Sequence, residues 1–165
     1  MGWISQRWLL ATAASMFALG AQAAPRLETV LKPVRDGGAE VVAIEVRSVL
    51  TQGEGLVLSA PVTYAGVRGV ADRVQDLTVT DAKGAVPLAS VDDPAAPGGF
   101  PYFRHWTAQR PVSYPVTISY RSAVQPAGAP QGPPFGIRPS GGGVSGAGAG
   151  FLVLPEKVGE AQLKL

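Results

Sequence analysis

The 165 residues carry a formal net charge of only +2, one histidine and no cysteine, with 21 glycines and 15 prolines. The missing cysteine excludes a disulfide framework and a lipid-anchored lipoprotein, and one histidine without cysteine cannot close a zinc site. A charge this small, with no basic patch interleaved with aromatics, argues against nucleic acid as a partner.

The chain opens like an exported protein. Arg7 and the amino terminus give a positive n-region, Trp8 to Leu19 (WLLATAASMFAL) an apolar h-region, and Ala21-Gln22-Ala23 a small-x-small cleavage pattern. Its 12 residues fall short of the roughly 20 that span a bilayer. The expectation is a signal peptide over residues 1–23, a periplasmic or secreted product, and no membrane anchor after cleavage. Removing those 23 of the 165 residues leaves 142, one domain over 24–165 with a net charge of +1 because Arg7 departs.

The mature part reads as short strands and turns. Arg26 to Leu31 alternates, with Leu27, Thr29 and Leu31 on one side. A turn signal at Arg35 to Gly38 precedes EVVAIEVRSVL, where Val42, Ile44 and Val46 face one way and Glu45 and Arg47 the other. Gln52 to Gly55 breaks the run before LVLS, and Tyr64 to Arg73 reads as a loop. In VQDLTVT, Val74, Asp76, Thr78 and Thr80 alternate against Leu77 and Val79; Asp81-Ala-Lys-Gly84 then turns the chain into AVPLASV as a hairpin. After a loop over Asp92 to Pro101, YFRHWTA and SYPVTISYRSAV form a further antiparallel pair, with Pro115 pushing its strand towards an edge or a bulge. No helical period has both a cap and adequate length. The fold class is therefore all-β, a mostly antiparallel β-sandwich, interrupted by a long Pro/Gly-rich loop over 125–150.

That loop contains six glycines between Gly141 and Gly150, and its glycines invite chemical readings that fail. A phosphate-binding loop needs a lysine and a following helix, and the tract has neither. Gly143 to Ala147 (GVSGA) resembles a nucleophile elbow, yet it ends in Ala147, opens no helix, and lies after His105 in the chain. A carboxylate-only calcium site at Asp92-Asp93 stands against the simpler reading of a solvated turn. In YFRHW, Tyr102, Arg104 and Trp106 share one strand face opposite Phe103 and His105; packing is the ordinary use of such aromatics, and a candidate interaction face is the functional one.

The order of PVTY (Pro61 to Tyr64), VQDLTVTDAKGAVPL (Val74 to Leu88), HWTA, VTISYRSAV and GPPFGIRP…GAGFLVLP resembles the N-terminal β-domain of the glycyl aminopeptidases, the zinc metallopeptidases of peptidase family sixty-one. The resemblance covers about Arg26 to Leu154 and includes Trp106 and the Tyr120-Arg121 pair, while Val62 stands where the family usually has glycine. It implies a β-domain that packs on a helical catalytic domain and helps wall the substrate cleft. The family's zinc, held by H-E-x-x-H and a downstream glutamate, belongs to that other domain, so this chain carries over no catalytic, cofactor or metal residue. It also implies an incomplete sandwich, a truncated or fragmentary form of such an enzyme, in which Phe151 to Leu154 re-enters the sheet as a strand and EKVGEAQLKL leads towards strands that are absent.

The expectation is an exported β-domain, inactive alone, whose partner is a peptidase catalytic domain or a peptide substrate. The alternative is a free-standing periplasmic binding module. Mass spectrometry of the exported protein should find Ala24 at its amino terminus; intact Met1 would overturn the signal-peptide reading.

Overall fold

Strands in which apolar and polar residues alternate offer one face for burial, and two such sheets can bury each other. The computed structural model describes residues 24–64, 67–95, 97, 102–125, 136–158 and 162–164. The expected signal segment, and 126–135 of the expected loop, lie outside the described residues.

Strands β1 (Arg26–Arg35) and β2 (Val41–Leu50) pair antiparallel, and β3 (Val57–Pro61) begins a second sheet. A small hairpin of β4 (Thr63–Tyr64) and β5 (Val67–Arg68) leads through a 3-10 turn, Ala71–Arg73, to β6 (Val74–Asp81). Then follow β7 (Gly84–Ala85), β8 (Leu88–Asp92), β9 (Phe103–Ala108) and β10 (Val116–Ala123). A hairpin of β11 (Arg138–Ser140) and β12 (Gly143–Ser145), a 3-10 turn at Gly148–Gly150, β13 (Leu154–Pro155) and β14 (Gln162–Lys164) complete the described elements. The larger sheet has the order β14-β1-β2-β10-β6-β7 and the smaller β13-β3-β9-β8. Among the described strand pairs only β1–β14 is parallel. The protein is an all-β, sandwich-like fold.

Leu27, Ile44, Val46, Leu50, Val79, Val116, Ile118 and Tyr120 from the larger sheet and Leu58 and Ala60 from the smaller form one buried cluster, with Trp106 and Leu88 packed against it. Leu50, Leu58, Val116 and Ile118 retain no exposed surface. A buried Thr29–Ser48 pair, 2.8 Å between hydroxyls, satisfies two polar groups inside the larger sheet.

Several local expectations change. YFRHWTA and SYPVTISYRSAV do not pair: β9 lies between β3 and β8, whereas β10 lies between β2 and β6 in the other sheet. Pro115, with a cis Tyr114–Pro115 bond, precedes β10, so a central strand loses no ladder hydrogen bond. The Asp81–Gly84 hairpin forms, with Lys83 N donating to Asp81 Oδ1 at 2.8 Å, but lasts only two pairs before Pro87 sends β8 into the smaller sheet. Register irregularities reset the alternation twice. One between Val34 and Arg35 leaves Val41 buried and Val42 exposed; another opposite Asp76 (φ 55°) turns Val74 inward beside Leu77 and Val79. Leu31 is also exposed, unlike Leu27 and Thr29. Tyr64 to Arg73 is a hairpin and a turn that buries Val70 and Ala71.

The glycine tract is built structure. Gly141 and Gly142, at φ 56° and 78°, form the two-residue connection of the β11–β12 hairpin, where left-handed conformations suit the strand twist. In the segment after it only Leu154 and Pro155 pair, against Ser59 and Leu58, while Leu152 and Val153 are buried without ladder partners. Within EKVGEAQLKL, Gln162 to Lys164 pair with β1 and add a strand to the larger sheet.

Two polar ties hold the segments that cross between sheets. The Tyr120 hydroxyl accepts from Val153 N at 2.9 Å and donates to Phe151 O at 3.0 Å. Arg110 grips Asp81 with two hydrogen bonds, 2.7 and 2.9 Å, and also reaches Gly84 O and Ala85 O. Asp81 additionally accepts from Ser113 N, and these donors hold its carboxyl well below the usual carboxylate range. Removing the Tyr120 hydroxyl strands two backbone groups in the core. Tyr120→Phe should cost about 1–3 kcal/mol in urea unfolding, and a loss within error would show that water replaces the hydroxyl.

Candidate interaction face

Strand β9 distributes its side chains by parity. Arg104 and Trp106 lie opposite the buried Ala60 and Leu58 of β3 and share their inward side; Phe103, His105 and Thr107 point outward. Tyr102, Arg104 and Trp106 therefore do not make one open face. Trp106 packs against the core, and Arg104 is spent on ion pairs. Only Tyr102, 58 % exposed, is open to solvent.

Arg104 is a fork between two carboxylates. Its Nε and Nη2 donate to Asp92 at 2.6 and 3.1 Å, and Nη1 donates to Asp72 at 2.8 Å. The paired guanidinium holds the Asp92 carboxyl below its ordinary value, and the hydrogen bond to Asp92 raises Arg104 in turn. Asp92 and Asp93 are thus engaged by side chains of β9, which a solvated turn would not require. Asp93 accepts from Phe103 N at 3.1 Å and meets His105 at its other oxygen.

His105 is the centre of the outward face. Its Nδ1 lies 2.7 Å from Glu156 Oε1 and its Nε2 2.9 Å from Asp93 Oδ1. Ionised carboxylates only accept, so both ring nitrogens donate and the imidazole is held as its cation. The hydrogen bond to Asp93 raises its pKa above the ordinary 6.5, burial opposes the rise, and the hydrogen bond to Glu156 adds to it. Sequence reading missed this cluster, because its members are 12 and 51 positions apart; the outward parity of His105 was the only available signal.

The arrangement limits the chemistry. A ring with both nitrogens engaged offers no lone pair to a serine or a metal. Ser59, its cross-strand neighbour, has no hydrogen bond to it, and Ser145 pairs with Arg138 in the β11–β12 hairpin. Among the described residues no group of His, Cys, Asp and Glu is placed to hold a metal ion.

Around the cluster stand exposed apolar side chains from three strands: Val91 of β8 (63 %), Phe103 of β9 (43 %) and Leu154 of β13 (42 %). Register puts them on the same outward side as His105, with Ser59 between β9 and β13. Soluble domains expose apolar residues singly, and a grouped set marks a contact surface. No protein-family model, curated protein or solved structure matches the chain.

A raised histidine pKa fixes the sign of a pH effect. The proton is bound more tightly in the folded state, so the stabilisation is complete below the unfolded value near 6.5 and fades as pH rises through the folded value. The unfolding free energy of the wild type minus that of His105→Gln should therefore fall between acid and alkaline pH in urea titrations. A difference that is flat, or grows with pH, would contradict the doubly donating imidazolium.

Proposed function

We propose that this chain is an exported, non-catalytic β-sandwich interaction domain that docks through the outer face of its smaller sheet. The observation that carries the reading is the grouping of Val91, Phe103 and Leu154 around a self-satisfied ion cluster. The polar centre needs nothing from a partner, and the apolar rim gains by being covered. The single histidine is committed at both nitrogens, which supports the non-catalytic half.

The partner that best fits the sequence is the zinc-bearing helical domain of a glycyl-aminopeptidase-like enzyme. The support is the resemblance over about Arg26 to Leu154, the stretch from which β3, β8, β9 and β13 supply the docking face. Zinc in this reading belongs to the partner domain, and the β-domain would wall the cleft in which a peptide lies. A free-standing periplasmic module that receives another protein on the same face is the second reading, favoured by the same exposed residues.

Titrating the exported chain calorimetrically with the separately produced catalytic domain of a glycyl aminopeptidase from the same organism tests this. Saturable binding is expected, weakened at least about tenfold by Phe103→Ser, because a buried phenyl ring contributes roughly 1.5–3 kcal/mol. No binding to that domain, with capture of a different protein that Phe103→Ser abolishes, would replace the first reading by the second. The chain alone should not turn over a glycyl-arylamide with or without zinc; turnover that His105→Ala removes would refute the non-catalytic reading.

A further inference from the structure

The opposite side of the sandwich carries a separate feature. A cleft of about 490 Å³ opens on the outer face of the larger sheet, within the roughly 300–1,000 Å³ typical of small-ligand sites. Two rows of cross-strand neighbours build it. Val30 of β1, Arg47 of β2 and Ser119 of β10 form one row; Lys32, Glu45 and Arg121 form the next. Asp76 borders it where the β6 register shifts against β10. Arg47 and Arg121 are diagonal neighbours on adjacent strands, which places their Cβ atoms about 7–8 Å apart.

The side chains of Arg47 and Arg121 differ from those of Arg104 and Arg110. Arg104 and Arg110 each grip a carboxylate with two hydrogen bonds. Arg47 and Arg121 make no hydrogen bond or ion pair among the described residues, and Arg121 Nε is buried without an acceptor. Glu45, directly across from Arg121, lies 3.5 Å from Lys32 instead. Three cations, Lys32, Arg47 and Arg121, face two carboxylates, Glu45 and Asp76, so the cleft carries an excess of one positive charge. Its apolar surface comes from the exposed Val30 and from the aliphatic stems of Lys32 and Arg47.

We propose that this cleft binds a small organic monoanion, a carboxylate on an apolar body, with the carboxylate between Arg47 and Arg121 and the body over Val30. Planar guanidinium forks match a carboxylate, and one such group would meet the buried Nε–H. An inorganic anion would leave Val30 unused. A polyanion would meet Glu45 and Asp76. The same chemistry is offered by a free carboxylic acid and by the carboxyl terminus of a peptide ending in an apolar residue.

The test is titration of the exported chain, followed by backbone amide shifts, with phenylacetate and with the tripeptide Ala-Ala-Phe, each beside its neutral amide. Saturable shifts are expected at Val30, Arg47, Ser119 and Arg121 with an acid, and affinity at least about tenfold lower for its amide. Arg47→Gln, on an exposed side chain, should weaken the acid by a similar factor with the melting temperature unchanged. Arg121→Lys should retain more affinity than Arg121→Gln, and Glu45→Gln should tighten binding by removing a like charge. Whichever acid binds more tightly identifies the source of the carboxylate. Equal binding of acid and amide, shifts confined to the Phe103 face, or an Arg47→Gln variant with undiminished affinity would overturn the proposal. Phe103→Ser should leave this binding untouched, so it fails or stands independently of the docking face.

Discussion

The contact between the inner faces of the two sheets is the constraint on which the remaining structure depends. Leu58 and Trp106 from the smaller sheet meet a cluster that includes Val46, Ile118 and Tyr120 from the larger. Among the described elements two layers form and no third covers either outer face. Each strand must then divide its side chains between a core and a solvent face, which makes register decisive. A one-residue slip of β9 would send Trp106 outward and bring His105 with its two carboxylates against Leu58. The ties at Tyr120 and at Asp81–Arg110 guard this register where the chain passes from one sheet to the other, since the Phe151–Val153 segment leads into β13 and the Asp81 turn leads into β8.

Charge is handled differently on the two sides. Around β9, Arg104 and His105 point to opposite faces, and each has two carboxylates within hydrogen-bond distance. This compensates the cationic groups locally and rigidifies the strand between β3 and β8. On the larger sheet, the Arg47 and Arg121 side chains have no acceptor among the described residues, although a carboxylate stands directly across from Arg121. Retaining unpaired guanidinium groups beside an exposed valine adds nothing to folding that a lysine or glutamine could not supply. The asymmetry favours assigning the smaller sheet's outer face to a macromolecular contact and the larger sheet's cleft to an anion.

What was legible in the sequence was local. The alternation of β2, the Asp81–Gly84 turn and the all-β class depend on neighbouring residues, and they could be read without knowing which strands meet. Pairing could not. Residues 103–108 and 116–123 look like a hairpin because they are close in sequence, but seven residues, including Pro111 and Pro115, carry the chain from one sheet to the other. The bulge at Asp76 was invisible for another reason: a positive φ at aspartate is a response to the ladder opposite, and nothing in VQDLTVT announces it. The same holds for the site. Tyr102, Arg104 and Trp106 stand out by residue type and shared parity, but parity alone does not say which side is the core. With β3 alongside, that side proved to be the inner one. The Asp93–His105–Glu156 cluster draws on three separate segments, and only the assembled sheet brings them together.

Six glycines between Gly141 and Gly150 place this stretch in a loop by sequence, since glycine widens the conformational choice of an unfolded segment. The same property serves order when a position demands it. Gly141 and Gly142 occupy left-handed conformations that close a two-residue turn, and a Cβ at Gly146 would lie 2.9 Å from Gly136 O and 3.1 Å from the Cα of Ile137. Gly146 therefore permits a close backbone approach beside Ile137, itself fully buried. Gly141 and Gly142 answer a demand on φ, and Gly146 one on space. The buried Leu152 and Val153 that follow gain an entry into the core only because the preceding turn and close approach aim them there; replacing the tract by a random coil of equal length would keep the connection and lose the aim.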